Sequence, residues 1–323
     1  MQKDFKEFIK MYLMANAHAR DITMSLVSFT KIRGNTANSI KQAIIESLDL
    51  IKYPFKKETK NVIIKPNMCY YWDYSTGHTT DPKFVAALID TIREKISPNT
   101  DISIVESDAS AMKCKYAFKM LGYEKLSKEY DVKLVNLSED ICTKVDVKAG
   151  SQLFRLMVPQ TIQKADLKIN VPKIKYMTEK IKITCALKNI FGCNPYPRKF
   201  KYHPRLAEAI VAINKALKFN LCLIDGNIVS GVHPVRLGLV MASKDPVAID
   251  VAAAKIAGVN PSTIDYIQLA KKEGLGNMFF IPKGESLEYF GARYPRKSLQ
   301  DKVISKAFSL AVQVGLGKRL GLE

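Results

Sequence analysis

The chain has 323 residues, 47% of them apolar and 25% charged, and its 50 Lys and Arg against 31 Asp and Glu leave a net charge of +19. That apolar share is enough to bury a core, which excludes an intrinsically disordered chain. No stretch reaches the roughly 18 uncharged apolar residues that cross a bilayer, and six scattered cysteines are too sparse for a small disulfide scaffold.

Residues 1–23 place Phe5, Phe8, Ile9, Tyr12 and Leu13 at helical spacing and predict an amphipathic extension before the main body. Asp4 and Glu7 sit among the lysines there and no long apolar run follows, so a secretory leader is not expected. From Ser25 strands and helices alternate. Strands are predicted over Ser25–Thr30, Val62–Ile64, Asp101–Glu106, Lys133–Asn136, Leu167–Val171, Leu221–Ile224 and Leu237–Ala242. Helices are predicted over Ile40–Ile51, over Phe84–Ile92 with Pro82 at the first helical position, and over Tyr116–Leu121, Pro204–Leu217 and Pro246–Ala257. The strand at 221–224 is expected to end at Asp225-Gly226. The succession predicts an α/β fold, a mostly parallel or mixed sheet flanked by helices, with a ligand crevice at the strand carboxyl ends. The body is expected over residues 24–276, with two sub-lobes dividing near 150, followed by a basic helical tail over 277–323. The uncharged centre of that tail, Ala307–Leu316, is 10 residues long, too short for a span.

The strand-end loops collect polar residues. Lys65 and Asn67 follow the second strand, Glu106, Ser107 and Asp108 the third, Lys173 and Lys175 the fifth, Asp225 the sixth, and Asp250 lies in the helix after the seventh. Lysines in such places suit a phosphate or carboxylate. Residues 150–205 hold 12 Lys or Arg against two acids. The segment Thr184–Cys193 reads as a short apolar helix bearing Lys188 and Asn189 and ending at Gly192. Lys188 is placed to donate to an anion and Asn189 to orient it; the alternative is that Lys188 snorkels to the surface and Asn189 caps the helix. Glu106, Asp108, Asp225 and Asp250 are oxygen ligands of the kind that hold magnesium or manganese, with Asp225 and Glu106 the candidate metal pair; a helix cap and a salt bridge explain Asp225 and Asp250 equally simply. His78, His203 and His233 are loop histidines, and His203 is the candidate proton shuttle. Cys69, Cys114, Cys142, Cys185, Cys193 and Cys222 show no C-x-x-C spacing, so a local iron–sulfur or zinc motif is not expected, and reduced thiols in a cytoplasmic protein are. No G-x-S-x-G, Walker loop or G-x-G-x-x-G is present.

These pieces in this order, Lys65-Pro66-Asn67, Thr80-Asp81-Pro82, Val105-Glu106-Ser107, Ala165-Asp166, Asn170 through Lys175, Thr184 through Gly192, Tyr202-His203, Asp225-Gly226 and Asp245 through Asp250, resemble the domain-of-unknown-function family numbered 362 over about Ser25–Gly276. The family's biochemistry is largely unassigned. Relatives often carry fused ferredoxin-type cysteine runs, which this chain lacks. They commonly place a histidine shortly after the Pro-Lys-x-Lys piece, where Met177 stands here, so the resemblance transfers no histidine role to that loop.

Three functional readings follow. The first is an enzyme on a small anionic substrate, with Lys188, His203, Glu106 and Asp250 as catalytic residues, Lys65, Asn67, Lys173, Lys175 and Asn189 as binding residues, and a divalent metal at Asp225 and Glu106. The second is an RNA-binding protein, because Tyr196, Phe200 and Tyr202 interleave with Arg198, Lys199 and Lys201. The third is a membrane-surface protein using its two amphipathic ends.

Overall fold

The computed structural model describes residues 24–176 and 182–296. The predicted helix over 1–23, the amphipathic tail over 299–320 and Met177 lie outside the described residues.

In chain order the elements are β1 (Ser25–Lys31), α1 (Ala37–Leu50), β2 (Asn61–Pro66), α2 (Pro82–Lys95), β3 (Asp101–Glu106), α3 (Cys114–Met120), α4 (Tyr123–Glu129), β4 (Lys133–Asn136), β5 (Cys142–Ala149), β6 (Gln152–Pro159), α5 (Gln160–Lys164), β7 (Leu167–Val171), β8 (Lys175–Tyr176), β9 (Ile183–Thr184), α6 (Ala186–Phe191), α7 (Leu206–Leu217), β10 (Leu221–Ser230), β11 (Pro234–Ser243), α8 (Pro246–Ile256), α9 (Asp265–Lys272), β12 (Phe280–Gly284) and α10 (Leu287–Gly291). Caps set several helix starts. Thr36 accepts the Ser39 N–H ahead of α1, Asp81 accepts the Lys83 N–H ahead of α2, and Asp245 accepts those of Val247 and Ala248 ahead of α8. Proline at the first position of α2 and of α8 presets the helical φ where no N–H partner is needed.

The main sheet runs β12-β1-β11-β10-β7-β2-β3-β4. The pairs from β10 through β7, β2 and β3 to β4 are parallel, β11 is antiparallel to both β10 and β1, and β12 lies parallel to β1 at the edge. The fold is therefore α/β with a mixed sheet flanked by helices. Its central strands are apolar on both faces because both are covered. Val62 and Ile64 pack with α1 and α2 on one side, while Ile63 points to the other, where α6, α7, α8 and α9 lie. In β10 the same alternation sends Leu221 and Leu223 one way and Cys222 and Ile224 the other.

Three features depart from the sequence reading. β5 and β6 form a separate antiparallel hairpin for which no strands were expected. β10 does not stop at Asp225-Gly226. It continues to Ser230 through a register shift between Gly226 and Ile228, so Asp225 sits inside a strand. Residues 277–296, assigned by sequence to the helical tail, contribute strand β12 before the short α10. Among the described residues no helix is long and apolar enough to cross a membrane.

The loop from Asn67 to Thr80, which leads from β2 to α2, is pinned against the sheet. The Asn67 N–H donates to the Thr80 hydroxyl at 2.8 Å, and that hydroxyl donates to the Val171 carbonyl at 2.8 Å. Gly77 (φ 74°) lies so close to β10 that a Cβ would stand 2.4 Å from the Ser230 nitrogen. Gly77→Ala adds left-handed backbone strain to that clash and is expected to destabilise the protein by roughly 1–3 kcal/mol, read as a lower urea midpoint.

Candidate functional site

The carboxyl ends of β2, β3 and β7 lie side by side, with Lys65 in register with Asn170 and Glu106 with Asn136. Parallel pairing thus brings residues 65, 106 and 170 together although they are far apart in the chain. The Lys65 amine is 1% exposed and donates to Glu106 Oε2 and to the Pro66 carbonyl, both at 2.7 Å. Gly192 makes room for it, since a Cβ there would stand 3.3 Å from Lys65 Cε and Nζ. Lys173, on the segment after β7, lies 3.0 Å from Asp225 Oδ2, with both residues sealed from solvent. The same oxygen accepts the Asp81 N–H at 2.9 Å. Burial and the neighbouring Asp225 carboxylate push the Asp81 carboxyl up to about 6.

Between these ion pairs runs a chain of amides. Asn170 Oδ1 accepts from Asn189 Nδ2 at 2.8 Å, Asn189 Oδ1 accepts from Asn67 Nδ2 at 2.8 Å, and Asn67 Oδ1 accepts from the Lys175 amine at 2.7 Å. Each amide uses its oxygen toward one neighbour, and Asn67 and Asn189 use their NH2 groups toward the next, so the chain has one polarity and ends on an ammonium. Asn189 therefore orients groups inside the protein and does not cap its helix. Burial lowers the pKa of Lys175, and the Lys65 and Lys173 amines add to the effect. Lys199 reaches in from the turn after α6 and donates to the Ser107 hydroxyl at 2.5 Å, the Asp108 carbonyl at 2.9 Å and the Gly192 carbonyl at 3.2 Å. The Ser107 hydroxyl itself donates to the Gly192 carbonyl.

Lys188 differs from these four lysines. It projects from α6, is half-buried, and lies over the Phe191 ring with its amine 4.8 Å from the centroid. It has no hydrogen bond or ion pair to another described residue. Loss of water contact, followed by the charges of Lys175 and Lys199, pushes its pKa down to about 8. α6 is held from outside by Asp250 on α8, whose carboxylate accepts the N–H groups of Ala186 at 2.6 Å and Leu187 at 3.3 Å. Burial outweighs those two bonds and pushes the Asp250 carboxyl up to about 7. Asp250 thus positions the helix that carries Lys188 and Asn189; it forms no salt bridge among the described residues and lies away from the strand ends.

The other sequence candidates are placed differently. Glu106 and Asp225, the expected metal pair, each face a lysine, and among the described residues no three His, Cys, Asp or Glu groups converge as a metal site would need. His203 is exposed on the turn Lys199–Arg205 and bonds to no described residue. His78 lies nearer the lysines, half-buried against Trp72 with ring centroids 5.0 Å apart, and its carbonyl faces the Lys175 amine at 3.5 Å. Burial, and after it Lys175 and Lys173, lower the His78 pKa. Sequence reasoning named Lys199 only in the RNA-binding reading and assigned no site role to Asn170. A buried Asn in an otherwise apolar strand was the available signal for Asn170, whereas Lys199 was hidden in a basic stretch.

Residues 62–255 match the family described as Domain of unknown function (DUF362). Over 169 residues the chain is 28% identical to the thylakoid-associated protein sll1697 of Synechocystis sp., an alignment covering 48% of this chain and 50% of that protein. The chain thus spans about half the length of this relative. The structure is also similar to the lactate racemase apoprotein of Thermoanaerobacterium thermosaccharolyticum, with a TM-score of 0.42 and 14% identity over 72% of this chain and 57% of that one. The family match runs from β2 into α8 and takes in the paired lysines, the amide chain and the helix bearing Lys188, and on that extent the chain belongs to the domain-of-unknown-function family 362.

Proposed function

We propose that the protein is an enzyme that takes a small organic anion, a carboxylate or phosphate, at the carboxyl ends of β2, β3 and β7. The observation that carries this reading is the charge balance of the cluster. Lys65 and Lys173 are matched by Glu106 and Asp225, but Lys175, Lys188 and Lys199 have no carboxylate within bonding distance among the described residues. Three amines held close together without counter-charge favour an incoming anion, and low local polarity strengthens the attraction. Lys175 and Lys199 are fixed by neutral oxygens and supply positive potential; Lys188, half-buried and without an acceptor among the described residues, supplies the direct contact. Lys65 and Lys173 act from behind, by setting the positions of Glu106 and Asp225.

Lys188→Met keeps the apolar stem and removes the charge. It is expected to weaken binding of phosphate, citrate or pyruvate by roughly 10–100-fold in calorimetric titration, the span of about 1.5–3 kcal/mol for a hydrogen bond to a charged group. The melting temperature is expected to stay within a few degrees. Affinities unchanged by the substitution would reject the reading.

A second reading has one observation in its favour. Lys201 stands 4.1 Å from the Tyr196 ring centroid and 4.9 Å from that of Tyr202, beside exposed Phe200, a layout that suits stacking of RNA bases. Salt-sensitive RNA retention that survives Lys188→Met would favour it. The cytoplasmic assignment rests on the cysteines, which stand as free thiols.

A further inference from the structure

We infer that Lys188 is a nucleophilic amine that condenses with the carbonyl carbon of a small oxo acid to form an imine. The inference deepens the anion-binding reading and rests on it, because it narrows the substrate class to anions that also carry an aldehyde or ketone. Four amines in the cluster have protein acceptors: Lys65 on Glu106, Lys173 on Asp225, Lys175 on Asn67, and Lys199 on Ser107 and two carbonyls. Only the Lys188 amine, among the described residues of the cluster, meets no oxygen and rests on the face of Phe191. A primary amine attacks carbonyl carbon only through its lone pair, so a nucleophilic lysine has to shed a proton near neutral pH. A dry surrounding and neighbouring cations are the two means of achieving this. Both are present, with Lys175, Lys199 and Lys65 as the cations. A shift from the ordinary 10.5 to about 8 raises the neutral fraction at pH 7 by roughly a few hundredfold.

The surroundings also select the partner. Once Lys188 is neutral, Lys175 and Lys199 still carry unmatched charge close by, so the molecule that presents its carbonyl to Lys188 is favoured when it bears a carboxylate. The Lys188 lone pair forms a C–N bond as the carbonyl π electrons move to oxygen. Two protons originally on the neutral amine leave with that oxygen as water, and a C=N bond remains. Carbonyl compound plus amine gives imine plus water, with no oxidant or reductant consumed. Lys188 keeps part of its surface exposed, and Asp250 holds the helix that carries it.

The full chain is incubated with pyruvate or glyoxylate in the presence of sodium cyanoborohydride, which reduces an imine to a stable amine, and is then mapped by peptide mass spectrometry. The expected adduct has the mass of pyruvic acid less one oxygen atom and lies on Lys188, at about tenfold the labelling of exposed lysines such as Lys133 and Lys244. It is absent from Lys188→Arg, which keeps the charge without a usable lone pair. Mapping of the unsubstituted protein identifies the labelled residue even if that variant does not fold. No adduct, or labelling spread evenly over surface lysines, overturns the inference. Propionate, a carboxylate without the carbonyl, separates the two levels: if propionate and pyruvate both raise the melting temperature but no adduct forms, anion binding stands and the imine falls. If neither raises it, the anion reading itself falls.

Discussion

Asp225→Ala is expected to lower stability by about 3–5 kcal/mol, the usual cost of leaving one member of a buried ion pair without its partner. Asp225 is wholly buried inside β10 and Lys173 is 1% exposed, so no water replaces the lost carboxylate. The damage spreads beyond the lysine. Asp225 Oδ2 also accepts the Asp81 N–H at 2.9 Å and Oδ1 accepts the Asn227 N–H at 3.1 Å, so the start of α2 and the bulge in β10 lose their acceptor together. The measurement is the urea midpoint, with the slope of the transition held constant to show that the native state has weakened. Asp225→Asn combined with Lys173→Met removes both charges while keeping an oxygen for one N–H, and it is expected to recover much of the loss. An Asp225→Ala protein within about 1 kcal/mol of the parent would show that the pair is not sealed from water.

Stability is expected to fall as pH rises from 4 to 7, and Asp250→Asn is expected to remove most of that decline. Burial raises the Asp250 carboxyl to about 7 and, together with Asp225, raises Asp81 to about 6, both from an ordinary 3.8. Between those limits the folded protein holds protons that the unfolded chain has released. Stability is therefore greatest below the unfolded value, declines as pH climbs through the folded value, and levels off above it. At about 1.4 kcal/mol per pH unit, the Asp250 contribution is on the order of 4 kcal/mol across the window. Asparagine keeps an oxygen for the Ala186 N–H and does not titrate. Urea denaturation of the two proteins between pH 4 and pH 8 should show the parent losing ground to Asp250→Asn as pH increases. Parallel curves would mean that Asp250 ionises as an exposed carboxylate does. The decline also bears on function, since α6 hangs from this carboxylate and carries Lys188 and Asn189.

How far the sequence could be read follows from the range of the forces involved. The segments β1, β2, α2, β3, β7 and α8 were legible because their signals are local: short apolar runs, closed by Lys65-Pro66 in β2 and by Pro172 after β7, and Asp-Pro pairs that cap a helix and preset its first φ. The hairpin of β5 and β6 was missed because β5 alternates exposed polar residues with half-buried valines and Arg155 interrupts the apolar residues of β6, although Leu156 and Val158 are buried. β10 was cut short because Asp-Gly ordinarily signals a turn. In this fold a neighbour overrides it: Gly226 lies so close to β11 that a Cβ would stand 2.8 Å from the Leu239 carbonyl oxygen, and antiparallel pairing carries the strand onward.

By itself the chain determined an alternating α/β order, membership in the family, and the loops where lysines, asparagines and carboxylates collect. It could not say which lysine meets which acid. That depends on parallel register placing Lys65 beside Asn170 and Glu106 across from it, and on α6 returning over the strand ends. Tertiary structure alone decided that Lys65 and Lys173 are neutralised, that Asp250 supports a helix, and that Lys188 meets no hydrogen-bond acceptor or counter-charge among the described residues. The reason is physical. Helix and strand preferences act over a few residues, whereas the charge state of a buried group depends on whatever the fold brings within a few ångströms of it, however distant in sequence.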